Sequence, residues 1–410
     1  VMPTNKDTRP GTPSGTAEPT PPVYQLTIIG GFTDAFHFYP VIVRDSIATI
    51  YLHNNMLEYG HTYYVTIDNG VLNLADGSFQ GVTKEDEWVF TTKSDMPELS
   101  DTLIVDVAGK GDFNTVQGAL DFIPDFNEQQ TVILVNPGDY EELVYTRNKW
   151  HVKIKGAGMA DTKVHYANNE VFNPHPLTVK TNEWPGTFPS RRAAFMLDNC
   201  KDIVIEDMTI ATDLKGQAEG LLINGERIAL YRVHIIGSGD ALQANGTIYM
   251  ESCELDGGGD TILGRGSLFA YKSNFRNGGG PFSWVRNTAG NHGNVFVECT
   301  FSTEDGKQAD YGRTKSNHGS AYPDAEFVLI DCKVKNIIPE GWSSIGAKTA
   351  KIYEYNTCDM VTGNPVDVSK RHPYSRQLTK DKDTELINNY RNPAFVLKGW
   401  VPDSCINGTK

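Results

Sequence analysis

The chain has 410 residues, of which 39% are hydrophobic and 21% charged, a composition that excludes a disordered or collagen-like protein. Its net charge of −14 provides no general positive field, which excludes nucleic acid as an expected partner. No run reaches the roughly 18 apolar residues that span a bilayer, and Val1-Met2-Pro3-Thr4 is not a basic-then-apolar leader, so a soluble chain already trimmed of any signal is expected.

Residues 1–22 hold Pro3, Pro10, Pro13, Pro19, Pro21 and Pro22 among Gly, Ser and Thr. Such a segment cannot bury enough apolar surface to offset its ordering entropy, and a tail or linker is predicted. Over 23–98 the pattern changes to short alternating runs at 24–29, 48–52, 62–67 and 88–92, separated by Gly and Asn turns, which predicts a small β-sandwich. The stretch from Leu57 to Thr92 resembles the bacterial Ig-like modules that often precede secreted enzymes.

A polar boundary over 93–100 leads into a different periodicity that occupies 99–410. An apolar alternating stretch recurs from Ile203, Ile228, Ile248, Leu268, Val295 and Val328. Its spacings run from 20 residues (228 to 248, 248 to 268) to 33 (295 to 328). One strand every 20 to 30 residues, without intervening amphipathic helices, predicts an all-β parallel β-helix in which each coil stacks on the last. A sandwich would place turn signals about every 8–12 residues. The 39 glycines fit a fold with many tight turns. The six cysteines contain no C-x-x-C pair, which supports neither a zinc ribbon nor a thioredoxin-like site. Cys253, Cys299 and Cys332 occupy one phase of the repeat and are expected inside as small apolar side chains.

Two aspartates stand out by spacing. Asp240 in Gly237-Ser238-Gly239-Asp240 and Asp260 in Gly257-Gly258-Gly259-Asp260 are 260 − 240 = 20 residues apart, one coil in the shortest repeats. Both carboxyls should then leave one face on adjacent rungs, about 5 Å apart. Carboxyls that close cannot both ionise freely, and one pKa must rise; the plainer alternative is that each Asp supports a turn beside glycines. Gln217 lies 23 residues before Asp240, again about one coil, and its amide could donate to an oxyanion or simply be solvated. Arg313 follows later and could return to the same face to orient a carboxylate, or lie on the surface.

With these residues in view, the chain from about 100 to 400 resembles the pectin methylesterases. Gly111-Asp112-Phe113-Asn114-Thr115-Val116-Gln117-Gly118-Ala119 resembles that family's opening strand and helix, and Gly138-Asp139-Tyr140-Glu141-Glu142 its G-x-Y-x-E signature. Gln217-Ala218-Glu219-Gly220-Leu221 resembles Q-A-V-A-L, Gly239-Asp240-Ala241-Leu242 resembles Q-D-T-L, and Asp260-Thr261-Ile262-Leu263-Gly264 resembles D-F-I-F-G. Tyr311-Gly312-Arg313 resembles the L-G-R of L-G-R-P-W, and Pro339-Glu340-Gly341-Trp342 and Tyr353-Glu354-Tyr355-Asn356 resemble two C-terminal landmarks.

The resemblance implies a right-handed parallel β-helix of the pectin lyase-like type that hydrolyses galacturonate methyl esters without metal or cofactor. It implies Asp260 as nucleophile and Asp240 as acid for departing methanol and then base for water. Gln217 would steady the oxyanion, and Arg313 would position Asp260. The family's Gln before the acid is Gly239 here, and groove aromatics are replaced by Leu263, Gln243 and Lys315. Trp284, Tyr311, Tyr322 or Trp342 could rebuild an aromatic platform, although burial in a core is the commoner fate of such residues. Lys315 could contact a free uronate carboxylate or be solvated.

The expected partner is pectin or homogalacturonan, met by a secreted, periplasmic or cell-surface monomer with no nucleic-acid or membrane-spanning role. The acidic balance implies either a locally less negative groove or a preference for highly esterified pectin. A polygalacturonase-like glycosidase, whose paired carboxyls would suit the same spacing, and a β-helix that only binds glycans stay as alternatives. There is no G-x-S-x-G elbow, H-E-x-x-H, Walker loop or complete G-x-G-x-x-G after a strand. His234 reads as a filler of its strand, and Asn245-Gly246-Thr247 and Asn407-Gly408-Thr409 fit the glycosylation pattern.

Overall fold

A computed structural model describes residues 25–402 except 28, 33–35, 53–55, 73, 75, 174–189, 316–318 and 320. The proline-rich segment 1–22 and the sequon at Asn407 lie outside the described residues. From Thr102 to Gln377 the strands join one 21-stranded sheet that pairs in parallel throughout. Each coil pairs with the coil before and the coil after, which is the predicted parallel β-helix.

The register follows the repeats. Ile203 pairs with Ile228, Ile228 with Ile248, and Ile248 with Leu268, and Val295 pairs with Val328. Inward side chains from successive coils form one apolar column, because each rung leaves too little space for water between stacked Ile, Leu and Val. The chain turns the corner after each of these strands through a residue in the left-handed region, at Asp207, Arg232, Ser252, Lys272, Glu298, Asp331 and Asn356. Immediately after this corner come Cys253, Cys299 and Cys332, which are fully buried and unpaired. Burial pushes the Cys253 and Cys299 thiols up to about 12, which suits inert core residues.

The helix Val116–Phe122 lays Val116, Ala119 and Leu120 against the first coils. The G-x-Y-x-E residues explain how it is fixed. Glu142 is buried and accepts from the Val116 and Gln117 amides at 2.8 and 2.9 Å, at the end of the helix where amides lack partners. The Tyr140 hydroxyl donates to the Asn136 carbonyl at 2.8 Å. A second helix, Lys380–Arg391, was not anticipated from the strand pattern; Ile387 and Tyr390 pack it on the outer face of the sheet beside Val328 and Ile330.

Before residue 98 the described strands pair only two by two: Gln25–Thr27 with Phe36–Phe38, Val41–Arg44 with Ile47–Ile50, and Thr62–Tyr64 with Val89–Thr91. They do not join into two packed sheets. The apolar residues of 29–42 are used elsewhere: Ile29, Phe32, Phe36, Tyr39 and Ile42 pack on Tyr145, Tyr166, Phe172, Met196 and Leu222 of the coils. Tyr39 stacks on Phe172 with ring centroids 4.4 Å apart. Farther along, Ile47, Tyr64, Val71, Leu74, Trp88 and Val89 stay exposed, so no layer among the described residues covers them.

Candidate active site

The outward side of one column of strands carries the site. Its register runs Tyr145, Met196, Leu222, Gln243, Leu263, Trp284, Arg313 and Ser344 on successive coils. Asp240 and Asp260 each stand three residues before their members of this register, Gln243 and Leu263. The 20-residue spacing therefore does what the sequence implied and puts both aspartates at one corner of adjacent coils. The Ala241 and Leu242 amides both donate to the Thr261 carbonyl at 3.0 Å, which ties the two corners together.

Glycines allow this close stacking. A Cβ on Gly239 would stand 2.5 Å from the Gly216 carbonyl oxygen, so no side chain fits there without a backbone shift. The amide that the related motif carries before its acid is thus excluded by the backbone as well as by the sequence.

Asp260 is 10% exposed and is held by Arg313, whose Nε donates to Oδ1 at 2.9 Å and Nη2 to Oδ2 at 2.5 Å. The Arg313 guanidinium lies 4.1 Å from the Trp284 ring centroid, and that of Arg286 lies 4.4 Å from it. Asp240 is 13% exposed, and its pKa is raised to about 7. Burial is the main cause; Arg192 opposes it, while Glu219 and Asp260 add to it and Arg286 opposes again. A third carboxyl, Asp310, is pushed up to about 6, chiefly by burial and further by Asp260. Both candidates face a guanidinium, but burial and Glu219 raise Asp240 while Arg313 holds Asp260 through two nitrogens, a difference that favours separate acid and anion roles near neutral pH.

Gln217 is exposed at the same corner one coil earlier, and its Oε1 accepts from Arg192 Nη1 at 2.5 Å. Lys315 is exposed and lines, with Asp260, Arg313, Ser343 and Ser344, a cleft of about 440 Å³. Trp284 is half-buried beside Arg313. Gln243 is buried, with the Ser190 hydroxyl 3.4 Å from its Oε1. Tyr311 and Trp342 are corrected: they are 0% and 1% exposed, their ring centroids are 4.9 Å apart, and both lie in the core of the coils. Neither can touch a sugar in the groove. Tyr322 meets Trp284 edge-on at 6.3 Å. His234 is half-buried in its strand, its Nε2 2.6 Å from Asp256 Oδ2.

Residues that the sequence reading passed over complete the site. Arg192 contacts Asp240 at 3.2 Å, Glu219 at 2.6 Å and Glu170 at 3.4 Å. It lies 217 − 192 = 25 residues before Gln217, so extending the coil spacing one step back would have found it. A larger cleft of about 620 Å³ lies on another face, lined by Lys153, Glu206, Asp202, Arg227 and Trp400. Its charges include the pairs Lys153 with Glu206 and Arg227 with Asp202. Among the described residues no group of His, Cys, Asp or Glu is arranged to hold a metal ion.

The pectinesterase family model matches residues 102–398. The pectinesterase QRT1 of Arabidopsis thaliana is 26% identical over 325 residues, covering 73% of this chain and 80% of its own length. The fold is shared with the pectin methylesterase from carrot, at a TM-score of 0.60 and 18% identity over 74% of this chain and 95% of that one. It is shared too with a pectin methylesterase solved in complex with hexasaccharide VII, at a TM-score of 0.55 and 18% identity over 73% of this chain and 97% of that one. With the family model covering well over half of its residues, the chain belongs to the pectinesterase family.

Proposed function

We propose that the protein hydrolyses the methyl esters of galacturonate units in pectin, with Asp260 as nucleophile and Asp240 as acid and base. In the first step an Asp260 oxygen bonds to the ester carbonyl carbon. The C–O bond to the methoxy group then breaks as Asp240 gives its proton to that oxygen, and methanol departs. The galacturonoyl group remains as an anhydride on Asp260. In the second step Asp240, now a carboxylate, takes a proton from water, whose oxygen attacks the galacturonoyl carbonyl. Asp260 leaves as a carboxylate, and Asp240 is protonated again. Gln217, one coil before Asp240, would donate its amide to the oxyanion.

The observation that carries this reading is the contrast between the Asp240 carboxyl, raised to about 7 by burial, and the Asp260 carboxylate, paired to Arg313, on adjacent coils. Lys315 and Arg313 at the cleft fit a uronate polymer better than a neutral glycan. No helix among the described residues is long and apolar enough to cross a membrane, and a polysaccharide substrate fits export to the periplasm, cell surface or medium. We place the catalytic unit from residue 99 onward and read Ile29, Phe32, Phe36, Tyr39 and Ile42 as packing on it. The test is to assay methanol and new reducing ends in one tube of highly methylated pectin. Methanol without reducing ends is expected; reducing ends without methanol would move the reading to a glycosidase.

A further inference from the structure

One side chain ties the acid to the amide, and the reaction as written above does not use it. Arg192 stands just before the strand Phe195–Thr212 and is 16% exposed. Its Nη2 reaches Asp240 at 3.2 Å, and its Nη1 reaches Gln217 Oε1 at 2.5 Å. Its Nε and Nη2 both meet Glu219 Oε1, at 2.7 and 2.6 Å. Glu219 is fully buried, and its Oε2 has no hydrogen-bond partner among the described residues.

We propose that Arg192, clamped by the buried Glu219, is the positioning residue that orders Asp240 and Gln217 for ester cleavage, in place of the amide that Gly239 lacks. This rests on the reading of the site given above. A guanidinium has donors only, so it fixes which end of the Gln217 amide faces it: the carbonyl oxygen is taken, and the NH₂ is left to donate. The same planar fork holds the Asp240 carboxyl in place.

Glu219 makes this compatible with an acid. A lone guanidinium beside Asp240 would favour its carboxylate and remove the proton it must give. The groups acting on Asp240 are the cations Arg192, Arg286 and Arg313 and the anions Glu219 and Asp260, while Glu170 pairs with Arg192. Removing one of these anions favours ionised Asp240, and removing one of these cations favours its neutral form.

The test uses the full chain with Asp carboxyls labelled with ¹³C, the Asp240 signal being the one lost in Asp240→Asn, together with the pH profile of methanol release. Glu219→Gln should move the Asp240 titration and the alkaline limb of activity down by about one pH unit. Arg192→Gln should move both up and lower kcat with little change in KM. A merely structural pair would not give shifts of opposite sign. Should burial of an unpaired charge unfold either variant, the double variant Arg192→Gln/Glu219→Gln buries none. It should titrate near the wild type yet keep a kcat lowered about tenfold or more, because Gln217 and Asp240 lose their anchor. Titrations that coincide with wild type in both single variants, or a double variant with full kcat, would overturn the proposal. Wild-type protein without methanol release, but with the opposite titration shifts, would sink the esterase reading and leave the Arg192 pairing standing.

Discussion

Arg313 grips Asp260 through two nitrogens, at 2.9 and 2.5 Å, because the strand Ser283–Val285 pairs with Ile262–Gly264 and Trp284 in turn bridges to Arg313. Backbone pairing thus delivers the guanidinium to a carboxylate 53 residues earlier. A lysine would keep the charge and lose the fork. Arg313→Lys should lower kcat for methanol release by about 10- to 100-fold through lost orientation. Trp284→Leu removes a contact worth about 0.5–2 kcal/mol and should cost less. Undiminished turnover in Arg313→Lys would count against a positioning role.

Asp240 gives the pH dependence. Its pKa is raised to about 7 and the reaction needs its proton, so methanol release should decline as pH rises through about 7. Stability follows the same sign. The folded state binds more protons at Asp240 than the unfolded state between about 4 and 7, so stability falls as pH rises across that window. Asp240→Asn removes the effect. Its melting temperature, relative to wild type, should rise more at pH 8 than at pH 4, while its activity drops by about 10²- to 10⁴-fold. A relative melting temperature that does not change with pH would remove the assignment.

Restoring the missing amide should fail. With a Cβ at Gly239 placed 2.5 Å from the Gly216 carbonyl, Gly239→Gln forces the corner apart. Differential scanning calorimetry should show a lower melting temperature and the methanol assay no gain. A more active variant of unchanged stability would show that the corner yields.

Lys315 is exposed beside Asp260 and Arg313. Lys315→Ala should raise KM for weakly methylated pectin at low salt and change it little for highly methylated pectin, because only the former presents many carboxylates. Equal effects on both substrates would assign Lys315 no role in reading charge.

Trp342 packs at 4.9 Å on Tyr311 inside the coils. Trp342→Ala should cost about 3–5 kcal/mol of stability and leave KM unchanged in any protein that stays folded. A selective rise in KM would return Trp342 to the groove.

What could be read from sequence divides along physical lines. The coils were legible because each contributes one alternating apolar run, and the 20-residue spacing of Asp240 and Asp260 follows from stacking one coil on the next. Tyr311 and Trp342 were misassigned because they lie in irregular coils, held by isolated bridges at Trp284, Arg313 and Ser344, where alternation no longer tells inside from outside. Glu219 was passed over although Arg192 lies about one coil earlier, because a buried Glu between Ala218 and Gly220 reads in sequence like any solvated carboxylate. Ile29, Phe32, Phe36, Tyr39 and Ile42 would read as apolar whether they bury against a second sheet or, as found, against Tyr145 and Met196. Alternation reports that a face is covered and is silent on what covers it.

The central claim is that Asp260 forms the bond to the ester carbonyl. It is tested most directly by methanol release from highly methylated pectin with Asp260→Ala, at a pH below 7 and with folding checked by melting temperature. A folded variant whose release falls by about 10³-fold or more is the predicted result. Release within about tenfold of wild type would contradict it and leave the β-helix without its nucleophile.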